Sequence, residues 1–205
     1  MDRQLLSELL YQALETEQSG QLVYEAALRC AVNDELRDEW LRYLDQTRRH
    51  EEIVRDLLGT FGLDPDAETP GRAVVRHLGA SLVTAMEMAG DAGDSDAAEI
   101  VACECVVLAE TKDHQNWELL GEVVKHLTGD EADAVERAYR EVEDQEDEHL
   151  YHTGGWCREL WIRSLGMKAM PSSPETAATR PSDEERAVKS AGQAERAKQA
   201  RADML

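Results

Sequence analysis

The sequence predicts an all-α protein: four long amphipathic helices in two antiparallel hairpins, joined by a long, partly helical crossover and followed by a disordered C-terminal tail. Three observations predict it. Apolar residues recur at spacings of three, four and seven over four long segments. Short polar turns join them in pairs, at Asn33-Asp34 and at Thr128-Gly129-Asp130-Glu131, which makes the members of each pair antiparallel neighbours. No run alternates apolar and polar as a strand would, and the chain holds 1 Phe in 205 residues.

The first helical segment covers about residues 2–31 and places Leu6, Leu10, Ala13, Glu17, Tyr24 and Leu28 on one stripe, interrupted by Gly20 at a modest propensity cost. After the Asn33-Asp34 cap signal, the second stripe is Leu36, Trp40, Tyr43, Thr47, His50, Val54 and Leu57, and Gly59, Gly62 and Leu63-Asp64-Pro65 end it. Thr69-Pro70 opens a shorter crossover helix through Val74, Val75, Leu78, Leu82 and Met86, with Thr69 as cap and Pro70 in the first turn. The stretch Gly90-Asp91-Ala92-Gly93-Asp94 reads as a loop. The next long helix starts at Asp96, with Glu99 three residues on in a capping-box pattern, and carries Cys103, Val106, Val107, Glu110, His114 and Trp117. The last runs to about residue 165 through Val135, Tyr139, Val142, Glu146, His149, Thr153, Trp156 and Leu160, and Gly154-Gly155 within it permits a kink or a close backbone approach. Trp40, Tyr43, Trp117, Tyr139, Trp156 and Trp161 fall at helical spacing and read as core rather than as an electron relay. The domain is expected to span residues 1–168. Residues 169–205, with Pro171, Pro174 and Pro181 among Ser, Ala and mixed charge, read as a disordered or weakly helical tail that could dock on a protein partner.

The formal charge of −21, from 22 basic and 43 acidic residues, argues against nucleic acid and against an anionic membrane surface as partners. The tail holds six acidic and six basic residues, so the excess negative charge belongs to the helical domain, where it suits cations. No segment has the ~20 apolar residues needed to span a bilayer, and the start of the chain runs straight into an amphipathic helix without a secretory signal. Cys30, Cys103, Cys105 and Cys157 form no C-x-x-C pair and read as reduced, buried thiols. A cytoplasmic location is the expectation.

The chemistry lies on the apolar stripes. Glu17, His50, Glu110, Glu146 and His149 sit where core residues belong, and buried carboxylates facing one another require compensation, most simply a metal cation. Counting from the turns places them together. Glu17 is about 16 residues before Asn33 and His50 about 17 after it; Glu110 is about 19 before Gly129 and Glu146 about 17 after it. In antiparallel hairpins these fall at one level to within about one turn. Glu146 and His149, at i and i+3, share a face. Taken singly, each has an ordinary explanation: a solvated acidic face for Glu146, a packed imidazole for His50. Their coincidence at one level of four helices points to a metal site. Taken singly, His77, His114, His126 and His152 read as non-ligands.

The chain resembles the ferritin-like, rubrerythrin-related di-iron carboxylate bundles over about residues 3–165, on the strength of Glu17, His50, Glu110 and Glu146-x-x-His149, with the Glu17-to-Tyr24 spacing also similar. That group places one Glu on each of two helices and a Glu-x-x-His on each of the other two. The resemblance implies iron, with manganese as the alternative, and ferroxidase, peroxidase or oxidase-type redox chemistry. It implies Glu17 and Glu110 as terminal ligands, Glu146 as bridge, and His50 and His149 as terminal imidazoles. One departure stands out: Thr47 occupies the place of the second bridging Glu, three residues before His50. Either Asp113 or His114 supplies the missing donor, or the site holds one metal with a weaker second position, or it is vestigial. Tyr24 is a candidate to orient a carboxylate. No rubredoxin-like C-x-x-C knuckle is present. Two further readings remain open: a non-catalytic metal-binding or stress-associated bundle, perhaps a homodimer or small homo-oligomer, and a metal-free scaffold that binds a small molecule or a partner.

Overall fold

The computed structural model describes residues 1–167, which are all-helical, with no strand among them. The expected boundary at residue 168 and the tail at 169–205 lie outside the described residues.

Helix starts follow from local chemistry. Helix α1 (Arg3–Cys30) begins after Asp2, whose carboxylate accepts from Gln4 N and Leu5 N, and α2 (Asp34–Thr60) begins after Asn33, which accepts from Glu35 N and Leu36 N. Helix α3 (Pro70–Asp91) has Thr69 accepting from Arg72 N and Pro70 at its first position. Helix α4 (Ser95–Val124) is capped by Asp94, which accepts from Ala97 N. Helix α5 (Asp130–Ser164) follows Gly129, whose φ of 67° favours glycine, and Asp130, Glu131 and Asp133 complement its N-terminal dipole. Three sequence expectations change. The capping box at Glu99 does not form: Glu99 Oε1 instead accepts from Val32 N at 2.7 Å and Asn33 N at 2.6 Å, closing the turn between α1 and α2. Gly90-Asp91 continue α3 rather than starting a loop. Helix α5 runs unbroken through Gly154 and Gly155, and a Cβ on either would meet nothing within 4 Å, so these glycines serve no close approach.

Helices α1, α2, α5 and α4 pack in a closed, bundle-like ring, each touching two neighbours. Helix α3 lies outside the ring over α1 and α4 and runs alongside α1 in the same direction. Thr69 Oγ1 donates to Glu8 and Arg72 Nε donates to Glu15 Oε2 at 2.9 Å. Further along, a Cβ on Gly79 would sit 2.6 Å from Ser19 Cβ, and the Cys30 thiol donates to Met86 O at 3.8 Å. Arg76 joins the Arg72–Glu15 pair, with Nε 2.7 Å from Glu15 Oε1.

The core is apolar at both ends and polar in the middle. One cluster gathers Tyr24, Leu36, Trp40, Tyr43, Cys103, Val106 and Leu160 near the α1–α2 turn. The other gathers Leu10, Leu14, Val54, Leu58, Trp117, Leu120 and Val142 at the opposite end. Between them lies a buried polar layer that includes Glu17, Thr47, His50, Glu110, Asp113, Glu146, His149 and Thr153. Trp40 and Trp117 are core as expected, whereas Trp161 is 44% exposed and donates to Glu104 of α4 at 2.9 Å, beside the buried Leu160. The four cysteines are free. No helix among the described residues is long and apolar enough to cross a membrane.

Candidate metal centre

All five sequence-derived residues enter the polar layer, each from the helix that carried it in the periodicity argument. Glu17 of α1, His50 of α2 and Glu146 of α5 bring one donor atom each to within 4.8 Å of one another, and Glu110 of α4, Glu146 and His149 do the same. Glu146 belongs to both triads, so the layer is a pair of adjoining donor sets with a shared carboxylate. All five residues are at most 3% exposed. Buried Glu and His groups that could hold a metal ion are therefore a property of this structure.

The imidazoles are oriented by two glutamines. His50 Nε2 lies 3.0 Å from Gln145 Oε1, and His149 Nε2 lies 2.9 Å from Gln46 Oε1. A carbonyl oxygen only accepts, so Nε2 carries the proton in each ring and Nδ1 is left as a lone pair. Both Nδ1 atoms face the carboxylates: His50 Nδ1 is 2.9 Å from Glu146 Oε1 and 3.8 Å from Glu17 Oε2, and His149 Nδ1 is 3.5 Å from Glu110 Oε2 and 3.6 Å from Glu146 Oε1. The rings stack with centroids 5.8 Å apart. Trp117 Nε1 donates to Glu17 Oε1 at 2.9 Å, fixing one oxygen of that carboxylate and leaving the other toward His50.

The unsatisfied atoms test whether a cation fits. Glu17 Oε2, Glu110 Oε2, both oxygens of Glu146, and Nδ1 of His50 and His149 are buried without a hydrogen-bond partner. These are the atoms that converge, and buried polar atoms left unpaired at this density are rare unless something binds them.

Electrostatics reflects the crowding. Burial, then the Glu110 charge, pushes Glu146 up to about 8. Glu17 is held well above the carboxylate range by burial and by the Asp113 and Glu146 charges, against the Trp117 hydrogen bond. His50 is pushed down to about 4 by burial, with its Gln145 hydrogen bond opposing. Burial and crowding thus favour the protonated forms of Glu17 and Glu146 and the neutral form of His50.

Of the two residues offered against the missing carboxylate, the structure separates Asp113 from His114. Asp113 is buried in the layer, whereas His114 points outward, its Nδ1 3.4 Å from Asp147 and its Nε2 3.5 Å from Glu118. Thr47 faces the layer but its hydroxyl donates to Tyr43 O at 2.9 Å, and its methyl carbon lies 3.3 Å from where a Cβ on Gly20 would stand. Tyr24 is buried beside Glu110, and its ring is 6.1 Å from that of His149. Sequence reasoning missed Gln46 and Gln145. Their signal was present, since each stands four residues before the histidine of its own helix, in Gln46-Thr-Arg-Arg-His50 and Gln145-Glu-Asp-Glu-His149.

Compared with protein-family models, with curated proteins and with solved structures, the chain finds no match in any of the three.

Proposed function

We propose that this protein is a ferritin-like metal-binding bundle whose polar layer holds two metal ions, iron first and manganese as the alternative, for ferroxidase, peroxidase or oxidase-type redox chemistry. The observation that carries this reading is the pair of donor triads sharing Glu146, with every converging atom buried and unpartnered. The sequence resemblance to di-iron carboxylate bundles supports the fold-family part, as does the order of hairpin, crossover and hairpin.

In this reading Glu17, His50, Glu110, Glu146 and His149 would hold the metal, with Glu146 common to both donor sets. Iron, when bound, would supply one-electron redox chemistry. The chain's own residues prepare for that. Gln145 and Gln46 hold the imidazoles in the tautomer that presents Nδ1. Trp117 keeps one oxygen of Glu17 engaged so that the other faces inward. Tyr43, whose ring centroid is 4.3 Å from that of His149, helps exclude water from one side. Glu146 holds a proton near neutral pH and yields it when a cation takes its place.

The test is anaerobic Fe(II) titration of the metal-free protein followed by air, counting metal per chain, with Glu146→Ala alongside. Two tight irons and an oxidation-linked absorbance band, both lost in the variant, are expected. One metal without oxygen reactivity points to the non-catalytic binding role. No uptake overturns the metal reading and leaves a metal-free scaffold for a small molecule or a partner.

A further inference from the structure

We propose that the outward side of α3 is a dimerisation face, and that its occupant is α3 of a second copy of this chain, packed antiparallel about a two-fold axis at Ser81. The proposal is independent of the metal reading above.

The face is defined first by what α3 does with its other side. Arg72 and Gly79 turn to α1: Arg72 Nε meets Glu15 Oε2 at 2.9 Å, and a Cβ on Gly79 would lie 2.6 Å from Ser19 Cβ. Val75 and Met86 are buried on that side. The opposite side carries Val74, Leu78, Ser81, Thr84 and Met88. At about 100° per residue, all five lie within about 60° of Ser81. Val74, Leu78 and Met88 are 59%, 53% and 69% exposed.

This stripe is prepared for burial. The chain carries a charge of −21 and 43 acidic residues, yet no Asp or Glu stands between Glu68 and Glu87. The two arginines of that stretch, Arg72 and Arg76, both pair with Glu15. The two hydroxyls of the stripe are satisfied within the helix: Ser81 Oγ donates to His77 O at 2.8 Å, and Thr84 Oγ1 donates to Ala80 O at 2.9 Å. Removing water from the stripe therefore strands no charge and no hydroxyl, while it covers three apolar side chains.

Charge and symmetry choose the occupant. The acidic chain repels nucleic acid and anionic lipid, and a basic partner gains nothing from a face without acids. Two copies also repel each other, and they approach at least cost where neither presents a carboxylate, which is α3 against α3. The stripe is self-complementary in that arrangement. Val74 and Met88 stand seven residues to either side of Ser81, and Leu78 and Thr84 three. A two-fold rotation about Ser81 sets Val74 against the partner's Met88 and Leu78 against the partner's Thr84. The small Ser81 at the axis permits the spacing of about 8–10 Å that packed helices adopt.

The experiment is sedimentation equilibrium of the full chain at low and high salt, with helicity checked by circular dichroism, for the parent, Ser81→Glu, Val74→Glu, Met88→Lys, the Val74→Glu/Met88→Lys pair and Leu41→Glu. The parent is expected to form a dimer of its 22.9 kDa chains, tighter at high salt because screening relieves the repulsion between two acidic bodies. Ser81→Glu places two carboxylates at the axis and should weaken the dimer by about 100-fold. Val74→Glu and Met88→Lys should each weaken it, and the pair should restore it, because the introduced charges then face each other across the axis. Leu41→Glu changes an exposed residue of α2, a helix that does not touch α3, and should match the parent. A parent that stays monomeric at every concentration overturns the proposal. A dimer that survives Ser81→Glu overturns it too, since the contact would lie on another face. Single variants that weaken the dimer without restoration in the pair overturn the antiparallel register about Ser81.

Discussion

Gln145 Oε1 stands 3.0 Å from His50 Nε2, one residue before Glu146, so α5 both orients the imidazole of α2 and supplies a carboxylate 2.9 Å from its other nitrogen. The relation is reciprocal: Gln46 of α2 holds His149 of α5 at 2.9 Å. Each helix positions the other's histidine. Replacing Gln145 by Ala is expected to weaken metal binding by about 10- to 100-fold through loss of the ring's tautomer and orientation. Gln145→Glu, which keeps an acceptor, should retain most of it. Isothermal titration of both variants with Mn(II) checks this; equal losses in the two would reduce the glutamine to packing.

Glu146 is common to both donor triads, whereas Glu17 belongs to one. Glu146→Gln is therefore expected to abolish tight binding of both ions, and Glu17→Gln of one only. Metal counting after desalting distinguishes the two. Retention of one tight ion in Glu146→Gln would show that the half-sites stand independently.

The metal-free protein should lose stability as pH rises above neutrality. Glu146, at about 8 in the fold against an ordinary 4.5, holds its proton more tightly folded than unfolded, so its contribution declines as pH climbs between those values. His50, at about 4 against 6.5, acts in the opposite sense: its contribution is complete above 6.5 and is lost as pH falls toward 4. Above 6.5 the Glu146 effect acts without that opposition, so Tm should fall from there to about pH 8 in chelator and hold steady with Mn(II). Melts followed by circular dichroism test it, and a metal-free Tm that rises over this interval contradicts the proton count.

Removing the Glu15 carboxylate should be among the more damaging changes far from the buried polar layer. Glu15 pairs with Arg72 and Arg76, and Arg72 is itself buried, with Nη1 bound to Pro65 O at 2.8 Å and Ala67 O at 2.7 Å. Glu15→Ala leaves that guanidinium with no carboxylate, at a cost of about 3 kcal/mol. Urea unfolding measures it. A loss below about 1 kcal/mol would mean that the carbonyls alone satisfy Arg72.

Residue spacing made the all-helical class, the positions of the helices and the meeting of Glu17, His50, Glu110, Glu146 and His149 legible, because a helix converts spacing into direction and a short turn converts counting into height. What spacing could not give was any choice between adjacent residues with equal chemistry. Asp113 and His114 differ by about 100° around α4, and only packing against α5 shows that the first turns inward while the second meets Asp147. Glu99 is similar. Its place three residues after Asp96 looks like a local cap, but its carboxylate goes to a turn 66 residues earlier, a partner that no local pattern announces. Trp161 failed for a third reason: it stands one residue, about 100°, from the buried Leu160, so it leaves the core face of α5 and meets Glu104 of α4 at the surface.

The Glu99 contact also bears on the order in which the protein is made. The amides of Val32 and Asn33 belong to the first hairpin, yet their acceptor is not synthesised until α4 has begun. At about 5–20 residues per second, the nascent hairpin waits several seconds for the carboxylate that completes its turn. The first half of the chain thus emerges from the ribosome as an unfinished piece, whose turn closes only once the start of α4 has been made.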